Sequence, residues 1–317
     1  MSSNLSIQSL DSWFQTDEAC KFWQAQARSE GIDVRIGKAR VVAQVVREPW
    51  PVGWFSRRAI VQGGPVFATE NDLHLLLKQL TSATRHAIYT EIRCQTDYRP
   101  WQAVFEQHGY RYEPHLNILL PCDNAEAILE RMSESHRRKV RQSQPLVDSG
   151  QLQLEYMAEE SDLKHFYRLL RRHYLLKVRK PLPAYRYFSN LLKLPSAKLL
   201  LCRWQGHIIG GMVQIHHRDT VYDLYACALD KQYPQCNPSV MLYYRTMCLK
   251  ASQGGGVFDT MGAGKPDIPY GVREFKRRFG GEMVGYGRFI RINKPFLYRL
   301  GRVFFVPLRR NGRKTSI

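Results

Sequence analysis

The sequence predicts a mixed α/β (α+β) fold in which two copies of one mixed-sheet unit flank a helical region. Three observations predict it. Strand-like and helix-like patterns recur in similar order in the two halves, and internal repetition outweighs any single element assignment. The 317 residues suffice for about two domains of ~150 residues, each with its own core. A hydrophobic content of 44% with 24% charged residues is that of an ordinary globular chain.

The elements follow in order. Residues up to Ser29 read as an amphipathic lead-in anchored by Trp13, Phe14, Phe22 and Trp23. Strands are predicted over 39–46 and 58–61, on either side of the turn-rich Pro49-Trp50-Pro51-Val52-Gly53. A helix over 71–83 follows from the spacing of Leu73, Leu76, Leu77 and Leu80. Then come a strand over 86–92, a short helix over 100–108 ended by Gly109, and one strand over 110–120. From 123 to 195 the pattern is mostly helical. Asp123 and Glu126 read as a capping box, and 161–177 places Leu163, Phe166, Tyr167, Leu170 and Tyr174 on one face. The second half reads as strands over 198–204, 208–216 and 221–229, then a helix over 239–252 with Asn237 as N-cap and Pro238 at its first position. A strand over 256–259, a short helix over 270–279 closed by Gly280, and a strand over 283–292 complete it. The expected boundaries are thus a first unit at 1–122, a helical connecting region at 123–195, a second unit at 196–293 and a tail at 294–317.

Charge narrows the partners: 47 Lys and Arg against 28 Asp and Glu leave +19, which favours polyanions such as RNA, anionic lipid or phosphorylated substrates. Seven scattered cysteines, without a Cys-x-x-Cys pair or a Cys/His cluster, read as reduced thiols rather than metal ligands, and so point to a cytoplasmic protein. No signal peptide and no apolar run of ~20 residues is evident, so membrane association is expected to be peripheral.

The most informative stretch is 257–287. On its short helix Val272, Phe275, Lys276 and Phe279 share one stripe, three of them apolar. A lysine on a core-facing stripe must be desolvated, so it snorkels out or meets an anion. The alternative is that Lys276 only complements the helix macrodipole, as Arg277 and Arg278 off the stripe are expected to do.

A strand ending in Phe258-Asp259, a loop through Gly262, then Phe275-Lys276 and Phe279-Gly280 resemble the closing segment of the Fem-type peptidoglycan aminoacyltransferases, within the GNAT acyltransferase superfamily. Gly63-Gly64-Pro65-Val66, Glu91-Ile92-Arg93, Phe105 with Gly109-Tyr110, the basic segment with Arg138 and Arg141, and Arg179 before Pro181 extend the resemblance. It implies two tandem GNAT-like units. The long helical hairpin inserted in some Fem-type enzymes has no room here.

The resemblance also implies amide formation by attack of an amine on an activated acyl ester or thioester, without a tightly bound cofactor. GNAT units hold the coenzyme A pyrophosphate on backbone N–H groups ahead of a helix. The corresponding loop, 231–238, has no glycine and two prolines, which favours aminoacyl-tRNA as donor over acyl-CoA or acyl carrier protein. Lys276 would neutralise an oxyanion or a donor phosphate. Tyr225 and Tyr222 would protonate the leaving group or orient the acceptor, or else pack in the core. Asp259 would hold the amine or cap the Gly262 turn. Arg179 and His173 would grip an acidic acceptor, with His173 alternatively a half-buried helix residue. Arg138 and Phe275 complete the expected substrate contacts. From Arg288 onward no acidic residue occurs, and Phe296, Leu297, Tyr298, Leu300, Val303, Phe304, Phe305 and Leu308 interleave with arginines. That tail reads as an anchor for an anionic membrane surface or as a packed helix with a basic end. Together these point to an acyl- or aminoacyl-transferase acting on an envelope precursor. Open alternatives are a carrier-protein- or CoA-dependent N-acyltransferase for a surface glycan or lipid, and a non-catalytic RNA- or lipid-binding protein.

Overall fold

The computed structural model describes residues 12–47 and 56–301; the turn over 49–53 and the tail beyond Gly301 lie outside the described residues. The chain divides into two units, Met1–His115 with Gly285–Ile317, and Leu116–Val284.

In the first unit Trp13, Phe14, Phe22 and Trp23 are buried as expected, the last two on α1 (Asp17–Gln24), which Thr16 caps. The sheet contains β1 (Ser29–Ile36), β2 (Ala39–Arg47), β3 (Arg57–Gly63), β4 (Tyr89–Cys94), β5 (Arg111–Glu113) and a late strand, Arg288–Ile292. β1 escapes a reading by periodicity because Val34 is its one buried residue, so no alternation shows. α2 (Glu70–Ala83) opens with a Thr69/Asp72 capping box and buries all four predicted leucines. α3 (Gln102–Gln107) sets Phe105 against Phe289, the rings stacked at 4.0 Å.

The strand expected over 110–120 is two strands. Pro114 and His115 interrupt it, β5 stays with the first sheet, and β6 (Asn117–Pro121) joins the second. The strand expected over 283–292 also splits. β12 (Glu282–Val284) pairs with β6, whereas β13 (Arg288–Ile292) crosses back and inserts between β4 and β5. Unit boundaries at 115/116 and 284/285 therefore replace those at 122 and 293.

The second sheet runs β12-β6-β11-β10-β9-β8-β7. β7 (Leu152–Tyr156), inside the stretch expected to be helical, pairs antiparallel with β8 (Ala197–Trp204), which pairs with β9 (His207–His217), then β10 (Thr220–Ala228), then β11 (Val257–Asp259). The helical stretch is thus part of the second unit, supplying α4 (Ala125–Arg131), α5 (Glu134–Asp148), α6 (Glu160–His173) and α7 (Tyr185–Leu191). The cap of α4 is Asn124, one residue later than expected, because the Asp123 carboxylate is taken by Arg131. α8 (Pro238–Ala251) lies on one face of the sheet with its Val240, Met241 and Met247 in the core, and α9 (Gly271–Arg277) follows. All seven cysteines are free thiols, and among the described residues no helix is long and apolar enough to cross a membrane. The start of the tail is helical over 295–301, and Tyr298 packs edge-on against Tyr89 at 5.8 Å, which favours the packed-helix reading for that part.

Candidate active site

β10 and β11 run parallel but pair only at Thr220↔Val257, Val221↔Phe258 and Tyr222↔Asp259. β11 then ends while β10 continues to Ala228, with an irregularity in its pairing to β9 between Asp223 and Tyr225. The two strands open as a fork. Along 223–228 the side of β10 turned away from β9 has no strand partner among the described residues.

One arm of the fork leads into a loop built from backbone groups and three polar side chains, the half-buried Asn117 and the buried Asp259 and Lys276. Asn117 of β6 donates Nδ2 to Asp259 Oδ1 at 2.7 Å, and its own Oδ1 accepts the Gly262 N–H at 2.7 Å. Asp259 Oδ1 also accepts the Met261 N–H at 2.7 Å. The Lys276 ammonium donates to the carbonyls of Thr260, at 2.5 Å, and Gly262, at 2.9 Å. Met261 and Gly262 have φ of 59° and 113°, so the turn is a left-handed one that these bonds hold in place. The charge of Lys276 is shared with Asp223 and Asp259. Burial lowers the lysine's pKa and raises that of both carboxyls; the attraction between the ammonium and each carboxylate opposes these shifts, while Asp223 adds to the rise at Asp259. Asp223 also accepts the Tyr243 hydroxyl at 2.6 Å; burial and the adjacent carboxylate push that hydroxyl far above the ordinary tyrosine range, so it remains a donor.

Lys276 is therefore buried, as the stripe implied, but it is not an unpartnered cation: two of its three donors are in use. Val272, expected on the same stripe, is 43% exposed, because seven helical residues are too few to bury two turns. Phe275 is half-buried and packs 5.2 Å from both Tyr243 and Phe279. Asp259 caps the loop, the second of its two expected roles.

Tyr225 meets a different set of residues, with Phe188 at 4.9 Å, Tyr174 at 6.2 Å and Tyr187 at 6.4 Å. The Tyr187 hydroxyl, whose pKa burial pushes up to about 12, is hydrogen-bonded to Tyr225. Tyr222 is buried in the paired part of β10. α6 ends in a π-turn, Tyr174–Val178, closed by Arg179 at φ 53° with its N–H on the Tyr174 carbonyl at 2.7 Å. Arg179 is exposed beside this turn, and half-buried His173 has its pKa lowered, first by burial and then by Lys177. Arg138 is exposed on α5, whose buried side is His136, Val140 and Ser143.

Asn117, Asp223 and Tyr243 stand in no motif of the sequence. An asparagine and an aspartate inside otherwise apolar strands were the available signal, since both types are depleted in strands. His136 is masked in the sequence by the basic run around it. It is 1% exposed, lies edge-on to Phe279 at 4.6 Å, and neither ring nitrogen has a hydrogen-bond partner.

The N-terminus of α8 is occupied from within. Pro238 offers no N–H, while Asp230 Oδ1 accepts the Ser239 N–H at 3.0 Å and Oδ2 accepts the Ser239 hydroxyl at 2.6 Å. Asn237, the expected cap, is left-handed at φ 43° and turns its amide to Ser143 Oγ at 3.1 Å.

Residues 131–277 match the family model of the acetyltransferase (GNAT) domain. The chain carries a GNAT domain. The match spans the fork, α8 and the Lys276 helix. Around that domain the whole chain has the tandem GNAT fold and resembles the Fem-type acyltransferases. FemX superposes with a TM-score of 0.70 at 13% identity, covering 91% of this chain and 94% of that one. L-PGS from Bacillus licheniformis gives 0.58 at 14% identity, covering 90% and 96%. The C-terminal domain of a putative lysylphosphatidylglycerol synthetase from Agrobacterium fabrum gives 0.58 at 15%, covering 90% and 93%. At these identities the likeness is one of fold. No curated protein matches the chain in sequence.

Proposed function

We propose that the chain is an acyl- or aminoacyl-transferase that forms an amide on an amine of a cell-envelope precursor, such as a peptidoglycan intermediate. The observation that carries the reading is the fork. An acyl carbonyl entering beyond Tyr222 meets backbone N–H groups of β10 that no strand has claimed, the kind of preorganised donor that stabilises a tetrahedral oxyanion. The acceptor amine attacks that carbonyl in its neutral form, and the departing oxygen or sulfur takes a proton. Tyr225, linked to Tyr187 and set among the rings of Tyr174, Tyr187 and Phe188, supplies it and is reprotonated by the proton that the attacking nitrogen sheds. Lys276 acts at one remove in this scheme: it holds the 260–262 turn, which forms the other arm of the fork.

Aminoacyl-tRNA is the donor we favour over acyl-CoA or acyl carrier protein. A coenzyme A pyrophosphate would have to displace or repel the Asp230 carboxylate at the start of α8, where proline has already removed one donor. The net charge of +19 suits a tRNA. A solved structure of similar fold, the C-terminal domain of a putative lysylphosphatidylglycerol synthetase, offers a parallel in a product that carries a lysyl group. We assign Arg179 and His173, beside the π-turn, to contact with an acidic acceptor.

The test is donor-dependent turnover. The protein is incubated with charged tRNA and, separately, with acyl-CoA, in the presence of a peptidoglycan-precursor amine. Release of the amino acid from tRNA into an amide is the expected result. Transfer from acyl-CoA alone replaces the donor assignment, and no transfer from either donor refutes the enzyme reading.

A further inference from the structure

The π-turn that ends α6 exposes two adjacent leucines, Leu175 at 67% and Leu176 at 62%, the most exposed leucines of the described residues. They form, with Arg168, Arg171 and Arg172, an open groove of about 290 Å³. Exposed Lys177, Arg179 and Lys180 continue the cationic rim. The sequence contains no Asp or Glu anywhere from 163 to 218. The wide turn, closed left-handed at Arg179, thus presents an exposed apolar tip within a basic collar.

We propose that this turn docks on an anionic phospholipid surface, with Leu175 and Leu176 entering the interface and the arginines and lysines meeting lipid phosphates. A solvated charged face needs no exposed leucines, and these two hold apolar area in water that an interface would remove. A lipid surface satisfies both halves of the pattern at once, apolar tip and cationic rim. A nucleic acid satisfies only the second. Bases stack on aromatic rings, and the ring on this turn, Tyr174, is directed inward to Tyr225. The same turn therefore carries one residue of the candidate site and the two leucines, so docking brings the Tyr174–Tyr225 side of the fork to head-group level.

The experiment is sedimentation of the full chain with phosphatidylcholine vesicles, with and without phosphatidylglycerol. The parent, L175S/L176S and R171E/R172E are compared. The parent is expected to partition onto the phosphatidylglycerol vesicles. The leucine pair should weaken that partition by roughly tenfold to a hundredfold, given the apolar area removed. The arginine pair should weaken it at least as much. Thermal unfolding should be unchanged in both variants, since all four side chains are exposed. A parent that stays in solution with anionic vesicles overturns the proposal. So does a leucine variant that partitions like the parent, because another basic surface then does the binding. An arginine variant that loses charged tRNA while the leucine variant keeps its vesicle binding assigns the rim to RNA instead.

Discussion

Replacing Lys276 with methionine separates two roles for a buried lysine. An ammonium held without a partner predicts a variant as stable as the parent or more so, since methionine relieves a buried charge. The observed geometry predicts the reverse. The variant strips the Thr260 and Gly262 carbonyls of their donor and removes the positive charge facing Asp223 and Asp259. A buried carbonyl left unsatisfied costs about 1–3 kcal/mol. Relief of the ammonium's own desolvation offsets part of this. Deleting one member of a buried charge group nonetheless destabilises by about 3–5 kcal/mol overall. Urea unfolding followed by circular dichroism reads the difference directly as a lower midpoint at unchanged slope. K276M/D223N, which removes a carboxylate as well, should recover part of the loss, since the two sites share one network. Activity per folded molecule should fall too, because the 260–262 turn is no longer held at the fork. A methionine variant with the parent's midpoint refutes the loop-holding role and returns Lys276 to the position of a free cation awaiting substrate.

Two further predictions follow from groups outside the lysine network. Burial first, then Lys139 and Arg278, lower the pKa of His136 from 6.5 to about 4, so the unfolded chain takes up this proton before the folded one. Its contribution to stability is therefore complete above about pH 6.5 and is lost as pH falls through 4, by up to about 3 kcal/mol. H136F should flatten that part of the stability–pH curve measured by urea unfolding, and parallel curves for variant and parent would count against it. Asp230→Ala removes the cap of α8 and should cost about 1 kcal/mol. Calorimetry should then show coenzyme A binding that is millimolar in the parent, about −4 kcal/mol, and tighter in the variant. Micromolar binding by the parent overturns the argument that Asp230 and Pro238 close this site.

What the sequence reveals and what it hides divide along a physical line. The leucines of α2 and the apolar members of α6 were legible because each is set by the local period of its own helix. The exchange of β6 and β13 was not, because alternation reports which face of a strand is buried and says nothing about which sheet receives its hydrogen bonds. Residues 110–120 alternate without a visible break in apolar content, and only Pro114 hints that the ladder stops. β7 shows the converse: Leu152, Leu154 and Tyr156 alternate with Gln153 and Glu155, a strand signal masked by helical patterns on both sides.

The candidate site divides in the same way. Lys276 was legible as buried, since its helix neighbours decide that, while the carbonyls it holds, Thr260 and Gly262, belong to a loop fixed by Asn117, more than a hundred residues away in sequence. The network has a consequence for chemistry. Asn117 stands on β6, the strand that enters this sheet from the N-terminal half, and it bonds both Asp259 and Gly262. The arm of the fork that Lys276 holds from one side is thus held from the other by the exchanged strand. A change that loosens β6 should widen the fork without touching any group that meets the substrate, which makes Asn117 a positioning residue on the same footing as Lys276.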